Sequence, residues 1–299
     1  MSSLFPGFET FNVVVESNIS IYGLRGGSGP PLLLLHGFPQ THAIWHKVAL
    51  SLKVQYAVVL IDLRGYGASS KPSASDDCPE DHHLYAKSAM ARDCTVVMSR
   101  LGYDSFFLCG HDRGGRVAHK LCVDHPSRVR KVMILDICPT KAMYEATDQS
   151  FAYAYWHWFF LTQPAPFPER ILTASPEVMA EKCLKGHGRD IFTEQALEQY
   201  KKQFREYDAA HAMCEDYRAS MCEDIDEQKA DERARRKVEC PLRVLWGRKG
   251  VIEAKFDALA EWRSQCENVD LASCALDCGH YIPEEAPDEL LQHLRNFFA

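Results

Sequence analysis

The chain has 299 residues, of which 46% are apolar and 25% are charged, as is typical of a globular protein with one large core. Its net charge of −7 and its isoelectric point of about 6.0 exclude a broad basic surface. We therefore expect no binding to nucleic acid or to an anionic membrane, because no positive field would attract phosphate groups. A small anionic substrate is compatible with this charge if local arginines overcome the negative field.

The twelve cysteines are scattered and form neither a C-x-x-C motif nor a repeated spacing. A disulfide framework is typical of short secreted chains. The start of the chain lacks the basic segment and apolar run of a secretory signal. No apolar run approaches the length of a membrane-spanning helix. We therefore expect a reduced, cytoplasmic protein.

Short apolar runs that end in turn-rich segments recur along the chain. They cover residues 31–35, 56–61, 105–109, 132–135 and 242–246, and helix-like stretches lie between several of them. Continuous apolar runs are typical of strands buried on both faces of a parallel sheet. The alternation with helices predicts an α/β fold with a doubly wound, mostly parallel sheet. In such sheets functional residues gather at the carboxyl ends of the strands.

Residues 141–238 interrupt this pattern. They are rich in aromatic and charged residues, have helical character and contain no clear buried strand. We interpret them as a helical cap, inserted into an α/β core that is formed by residues 1–140 and 239–299.

The segment GHDRGG at residues 110–115 lies between an apolar run and a helix-like stretch. A strand, the motif Gly-x-nucleophile-x-Gly and a helix form a nucleophile elbow, in which the glycines permit a tight turn. Asp112 occupies the position where serine is usual. A carboxylate there attacks a saturated carbon that bears a leaving group, and the resulting ester must be hydrolysed by water. The alternative is that Asp112 only caps the helix that follows.

Hydrolysis of that ester requires a base and a group that orients the base. His280, near the end of the chain, follows the order nucleophile, acid, histidine that this fold predicts. Asp136 is the favoured acid, because the turn after the last apolar run has no carboxylate. Glu253 and Asp257 are the alternative acids. His280 in a surface turn and Asp136 as a simple turn residue are the competing interpretations.

Attack of water on the ester forms an oxyanion, which backbone N–H groups should stabilise. The loop after the first apolar run supplies the N–H of Phe38, and Arg113 supplies the second N–H.

These motifs together resemble the fluoroacetate (haloacetate) dehalogenases of the α/β-hydrolase superfamily, over essentially the whole chain. The likeness rests on HGFPQ at 36–40, DLRGYG at 62–67, GHDRGGR at 110–116, LDI at 135–137 and YWHW at 155–158. The first two motifs are shared with epoxide hydrolases and haloalkane dehalogenases. The other motifs discriminate better.

The resemblance implies that Arg113 and Arg116 bind the substrate carboxylate. Paired guanidinium groups can grip a carboxylate with forked hydrogen bonds. If both arginines instead faced solvent, their charge would be unfavourable at a helix start. The resemblance also implies that His157, Trp158 and Tyr217 donate hydrogen bonds to the departing halide, whereas a purely structural aromatic run in the cap is the alternative.

The expected activity is hydrolysis of fluoroacetate or chloroacetate to glycolate and halide, without a metal or an organic cofactor. The resemblance further suggests a homodimer. An epoxide hydrolase is the nearest alternative, which Tyr153 and Tyr217 keep open and Arg113 disfavours. A haloalkane dehalogenase would be expected to carry tryptophan after the nucleophile. A non-catalytic ligand-binding protein on the same fold is a third possibility.

Overall fold

The computed structural model describes residues 4–73, 81–184 and 191–299. In these residues one eight-stranded sheet has the order β1-β2-β4-β3-β5-β6-β7-β8. The first two strands and β4 are antiparallel neighbours, and every further pairing from β4 to β8 is parallel. The strands are β1 (Glu9–Glu16), β2 (Ile19–Gly26), β3 (Pro31–Leu35), β4 (Ala57–Ile61), β5 (Phe106–His111), β6 (Val129–Leu135), β7 (Leu242–Gly247) and β8 (Cys274–Leu276).

Helices connect the parallel strands and fill the interval between β6 and β7. They are α1 (His46–Leu52), α2 (Lys87–Arg100), α3 (Arg113–Asp124), α4 (Thr140–Glu145), α5 (Gln149–Ala154), α6 (Trp156–Leu161), α7 (Phe167–Ala174), α8 (Pro176–Leu184), α9 (Glu194–Lys202), α10 (Tyr207–Met221), α11 (Glu223–Arg233), α12 (Val251–Lys255), α13 (Ala258–Gln265), α14 (Ile282–Glu285) and α15 (Pro287–Phe298).

The apolar runs form strands that are buried on both faces, as the sequence predicts. Alternate side chains of a strand point to opposite faces. In β3, Leu33 packs into a core with α2 and α3, and Leu34 packs into a second core with α1 and α15. Because helices cover both faces of the sheet, its central strands contain no polar alternation.

The predicted fold class is confirmed, including the helical insertion between β6 and β7. The division into a core of residues 1–140 and 239–299 and a cap of residues 141–238 stays a prediction. The apolar-run pattern did not identify β1 and β2. These strands form an antiparallel pair at the edge of the sheet, and β1 is exposed or partly exposed along its whole length.

Two further features concern the described residues as a whole. None of their helices combines the length and apolarity that crossing a membrane requires. Within the same residues, histidine, cysteine, aspartate and glutamate side chains do not gather in groups of three or more that could hold a metal ion.

The central sheet should contribute strongly to the free energy of unfolding. Leu34 is 0% exposed in β3, so Leu34→Ala should lower this free energy by about 2–5 kcal/mol, through lost burial and the cavity left behind. The matched control is Leu271→Ala, since Leu271 is 96% exposed and its truncation should change stability by less than about 0.5 kcal/mol. Urea unfolding measures both values, and equal effects would contradict this account of the core.

Candidate active site

Asp112 lies in the tight turn between β5 and α3. Its backbone has φ 48° and ψ −115°, a region that residues other than glycine rarely adopt. A Cβ atom on Gly110 would collide with the carbonyl of Gly114, and one on Gly114 would collide with the carbonyl of His36. Asp112 occupies the N-cap position of α3, but its side chain makes no capping hydrogen bond. The Asp112 side chain therefore does not act as the cap of α3.

The Asp112 carboxylate is held by the loop that follows β3. The backbone N–H of Phe38 donates to Asp112 Oδ1 at 2.8 Å. Any side chain at Gly37 would meet Asp112, because a Cβ atom there would lie 2.5 Å from Asp112 Oδ1. The second oxygen, Asp112 Oδ2, lies 3.9 Å from His280 Nε2. One carboxylate oxygen is thus fixed by the backbone, and the other faces the histidine.

Asp112 is a buried carboxylate that stays ionised. Burial alone would raise its pKa, but the charge of His280 and those of Arg113 and Arg116 together hold the pKa below its ordinary value. At neutral pH the group is therefore a carboxylate with a lone pair available for attack.

Asp136 and His280 form the pair that the sequence predicts. His280 Nδ1 lies 2.6 Å from Asp136 Oδ2, and the backbone N–H of Gly247 donates to Asp136 Oδ1 at 2.7 Å. The two alternative acids have other partners. Glu253 accepts a hydrogen bond from the Trp246 indole. Asp257 caps the first turn of α13.

Opposing effects set the pKa of His280. Burial lowers the pKa, whereas the hydrogen bond and charge of Asp136 and the charge of Asp112 raise it, with a net increase. The neighbouring ring of His111 lies 4.7 Å from the His280 ring, centroid to centroid. Burial lowers the pKa of His111 to about 3, so this neighbour is neutral at physiological pH.

Arg113 and Arg116, in the first turn of α3, are buried rather than solvent-facing, with 0% and 3% exposure. Arg113 Nε and Nη2 donate to the Asp216 carboxylate at 2.9 and 2.6 Å, so its forked face is occupied by the protein. Arg116 Nη1 donates to Thr140 Oγ1 at 2.8 Å, and Arg116 Nη2 contacts Met143 Sδ. Among the described residues, Arg113 Nη1 and Arg116 Nε have no partner. Each arginine therefore keeps one nitrogen that has no partner among the described residues, and the forked face of Arg113 is taken by Asp216.

Two of the predicted halide-binding side chains also carry unsatisfied donors. Trp158 Nε1 and Tyr217 Oη are buried and lack a hydrogen-bond partner among the described residues. The Arg113 guanidinium lies 4.3 Å from the Tyr217 ring centroid, and that of Arg116 lies 4.9 Å from the Trp158 ring centroid. A buried donor without a partner costs roughly 1–3 kcal/mol. A cluster of such donors indicates a site for a ligand that accepts hydrogen bonds.

His157, the third predicted halide-binding residue, stacks on the ring of Phe38 with a centroid distance of 5.5 Å. Burial lowers the pKa of His157 to about 3, which keeps the imidazole neutral at physiological pH. A neutral imidazole has one N–H that can donate.

A cavity of about 690 Å³ opens above Asp112 and His280. Its lining includes His157 and Tyr217 from the inserted helices. Three lysines also line this cavity, namely Lys182, Lys249 and Lys255. They place positive charge around the cavity of a chain whose net charge is negative.

Besides these lysines, the sequence analysis also assigned no role to Asp216. Asp216 stands next to Tyr217 in α10 and binds Arg113. Its position beside a predicted site residue was the available signal, but a sequence pattern does not reveal the partner of a carboxylate.

Comparison with known proteins agrees with this fold. The family model for the alpha/beta hydrolase fold matches residues 30–287. A fluoroacetate dehalogenase of Burkholderia sp. is 42% identical, with 99% of this chain and 95% of the relative aligned. A soluble epoxide hydrolase of Corynebacterium sp. (strain C12) is 29% identical over 97% of both chains. A crystal structure from Nostoc sp. PCC 7120, provisionally described as an alpha/beta hydrolase, superposes with a TM-score of 0.92 at 48% identity and 98% coverage of both chains.

The chain therefore belongs to the α/β-hydrolase fold family and, within it, to the family of the fluoroacetate dehalogenase. The resemblance inferred from the sequence motifs is confirmed.

Loss of Asp136 should change the titration of His280. In Asp136→Asn the main group that raises the pKa of His280 is removed, so burial should dominate and the pKa should fall below its ordinary value of 6.5. Histidine ring resonances followed by NMR during a pH titration measure this shift. In the wild type, the raised pKa stabilises the fold fully below the unfolded-state pKa, and this contribution is lost as the pH rises through the folded-state pKa.

The matched controls are Glu253→Gln and Asp257→Asn, which remove the two alternative acids. Neither should move the pKa of His280. A shift in one of these variants, with none in Asp136→Asn, would show that Asp136 is not the orienting acid.

Proposed function

We propose that this chain hydrolyses the carbon–halogen bond of a haloacetate, through an ester of Asp112. The observation that carries the proposal is the cluster of buried donors without partners, beside an ionised carboxylate. The similarity to a fluoroacetate dehalogenase supports the same reaction. The enzyme is thus a hydrolase that acts on carbon–halide bonds.

The substrate carboxylate binds between the two arginines. Arg113 Nη1 and Arg116 Nε each donate one hydrogen bond, one to each carboxylate oxygen. The Arg116 side chain has only neutral partners among the described residues, namely Cys138, Thr140 and Met143. A substrate anion supplies a charged hydrogen-bond partner for Arg116, so the site favours a carboxylate over a neutral molecule.

In the first step Asp112 Oδ2 attacks the carbon that bears the halogen. A bond forms between this oxygen and the carbon, and the carbon–halogen bond breaks with its electron pair leaving on the halide. His157, Trp158 and Tyr217 donate hydrogen bonds to the halide as its charge develops. Because all three donors are neutral, they stabilise the halide without forming an ion pair that would retain it.

In the second step water attacks Cγ of the Asp112 ester, and His280 accepts the proton of the water. The oxyanion forms on Oδ1, which the Phe38 N–H already contacts at 2.8 Å, and the N–H of Arg113 is the proposed second donor. The oxyanion then collapses, the bond between Cγ and Oδ2 breaks, and glycolate leaves with the proton that His280 returns to its oxygen. The carboxyl group of Asp112 that remains loses the second proton of the water to solvent. Esterification removes the charge of Asp112, one of the groups that raise the pKa of His280. The pKa of His280 therefore falls after the ester forms, so that the neutral imidazole is available as the base for the second step.

An epoxide hydrolase with the same triad is the competing proposal, since such enzymes use cap tyrosines to protonate an alkoxide. Tyr217 has the required unsatisfied hydroxyl, but Tyr153 is 85% exposed. Burial raises the pKa of Tyr217 well above its ordinary value, which makes it a weaker acid. A neutral epoxide would also leave the Arg116 guanidinium with only neutral hydrogen-bond partners among the described residues. The homodimer expected from the resemblance stays a prediction that analytical ultracentrifugation can test.

The proposed reaction predicts the fate of the oxygen atoms. With substrate below the enzyme concentration in oxygen-18 water, the label should enter Asp112 and be absent from the first glycolate. Mass spectrometry of the peptide that contains Asp112 measures it. Label found directly in glycolate would exclude the ester. In multiple turnover, fluoroacetate or chloroacetate should release halide, and styrene oxide should give little diol.

Asp112→Asn should reduce halide release by roughly 10³-fold or more, because the nucleophile is lost. The matched control is Asp257→Asn, which makes the same chemical change at a helix cap outside the site and should leave halide release unchanged. Comparable losses in the two variants would indicate a general defect in folding.

Arg116 should set the affinity for the substrate anion. Arg116→Gln should raise the KM for chloroacetate by about 10- to 100-fold, because a hydrogen bond to a charged group contributes roughly 1.5–3 kcal/mol. Steady-state kinetics measures this change. The matched control is Arg263→Gln on the exposed surface of α13, which should leave the KM within about twofold of wild type. An unchanged KM in Arg116→Gln would argue against an anionic substrate.

A further inference from the structure

Asp216 is the centre of a buried network of charges between α3, α10, the first residue of α2 and the loop that follows β4. It is 0% exposed and accepts hydrogen bonds from three side chains. Arg113 donates through Nε and Nη2, Lys87 Nζ lies 2.5 Å from Oδ1, and the Tyr66 hydroxyl donates to Oδ2 at 2.7 Å. The carboxylate therefore fixes both the position and the rotation of the Arg113 guanidinium.

Ser220 and Asp224 close this network. Ser220 Oγ accepts from Arg113 Nη2 at 2.7 Å and donates to Asp224 at 2.8 Å. Lys87 Nζ also lies 3.2 Å from Asp224. The network contains two cations, Arg113 and Lys87, and two carboxylates, so its charges balance without a ligand.

The two arginines of the proposed substrate site therefore differ in charge balance. Arg113 has a fixed counter-ion within the protein, whereas the side-chain partners of Arg116 are neutral. Within the described residues, every nitrogen of Arg113 except Nη1 has a hydrogen-bond partner, so Nη1 is the nitrogen left for a ligand. The geometry gives Arg113 the role of an oriented donor and leaves the net attraction for an anion to Arg116.

We propose that Asp216 is a positioning residue for substrate binding, which holds Arg113 so that Nη1 alone faces the substrate carboxylate. This inference rests on the proposed function, since it names how the same site orients its anion. Asp216 touches neither the substrate nor the reacting atoms.

A double-mutant cycle with Arg113 tests this role. Asp216→Asn places an amide N–H₂ group against the donors of Arg113, Lys87 and Tyr66, so the forked contact is lost and Arg113 can rotate. The KM for chloroacetate should rise at least tenfold, while kcat stays within threefold of wild type. On an Arg113→Met background, Asp216→Asn should change the KM by less than twofold, because Asp216 acts through Arg113. Independent, multiplying effects of the two substitutions would overturn the proposal.

Asp224→Asn is the matched control, because it removes a carboxylate of the same network that does not contact Arg113 directly. Its KM should stay within threefold of wild type, even if its melting temperature falls as much as that of Asp216→Asn. An equal rise in KM in both variants would indicate a structural network only.

Two comparisons keep the test decisive if Asp216→Asn does not fold on its own, one with the double variant of the cycle and one with Asp216→Glu. Arg113→Met with Asp216→Asn leaves neither charge unpaired, and it should match the KM of Arg113→Met alone. Asp216→Glu keeps the charge but displaces the guanidinium, and it should raise the KM at least fivefold. An unchanged KM in Asp216→Glu would overturn the proposal.

Binding of acetate, measured by isothermal titration calorimetry, separates this inference from the proposed function. If the wild type releases no halide from any haloacetate, but binds acetate at least tenfold more tightly than Asp216→Asn, the proposed function fails and the role of Asp216 stands. If halide is released and acetate binds equally to both proteins, the proposed function stands and the role of Asp216 is refuted.

Discussion

The ionised carboxylate of Asp112, 5% exposed at the carboxyl end of β5, is the charge on which the arrangement of the site depends. Removing such a group from water is unfavourable unless hydrogen bonds and opposite charges compensate it. The Phe38 N–H fixes one oxygen, and the charges of His280 and the two arginines keep the group ionised. The strained backbone at Asp112 aims the side chain at this environment instead of at the N-terminus of α3.

The proposed reaction assigns different tasks to the neutral and to the charged donors near Asp112. His157, Trp158 and Tyr217 are neutral donors, whereas Arg113 and Arg116 are cations. A halide that leaves beside a second anion must be stabilised and then released. Neutral donors satisfy its hydrogen bonds with less electrostatic retention than cations would, and the cations are reserved for the carboxylate that stays attached to the enzyme through the ester.

Much of the fold was predictable because the central strands are buried on both faces, and burial on both faces leaves a continuous apolar run in the sequence. The edge pair β1 and β2 lacks this signal, because one of its strands is largely exposed. The pairing of His280 with Asp136 was also predictable, since chain order and strand ends limit the candidates. The burial of Arg113 against Asp216 was not, because their 103-residue separation gives no local pattern.

Arg113 shows most clearly which features of the site the sequence alone could not predict. The sequence identifies an arginine beside the nucleophile, but hydrogen-bond directions depend on which side chains of a distant helix face it. Here Asp216 takes the forked face, so the donor left for a ligand is a single nitrogen. Residue type predicted the chemistry of the site, and tertiary packing determined its geometry.

Helix α10 couples the two halves of the proposed reaction. Asp216 and Tyr217 are consecutive residues; the first holds Arg113, and the second carries a buried hydroxyl that is one of the proposed halide donors. The Arg113 guanidinium also packs over the Tyr217 ring at 4.3 Å from its centroid. A shift of α10 would therefore move the carboxylate anchor and a halide donor together. In-line displacement requires both the carboxylate and the halogen of the haloacetate to be placed relative to Asp112. In the proposed site, α10 contributes to both placements, through Asp216 and Tyr217, so a single helix sets the distance between them.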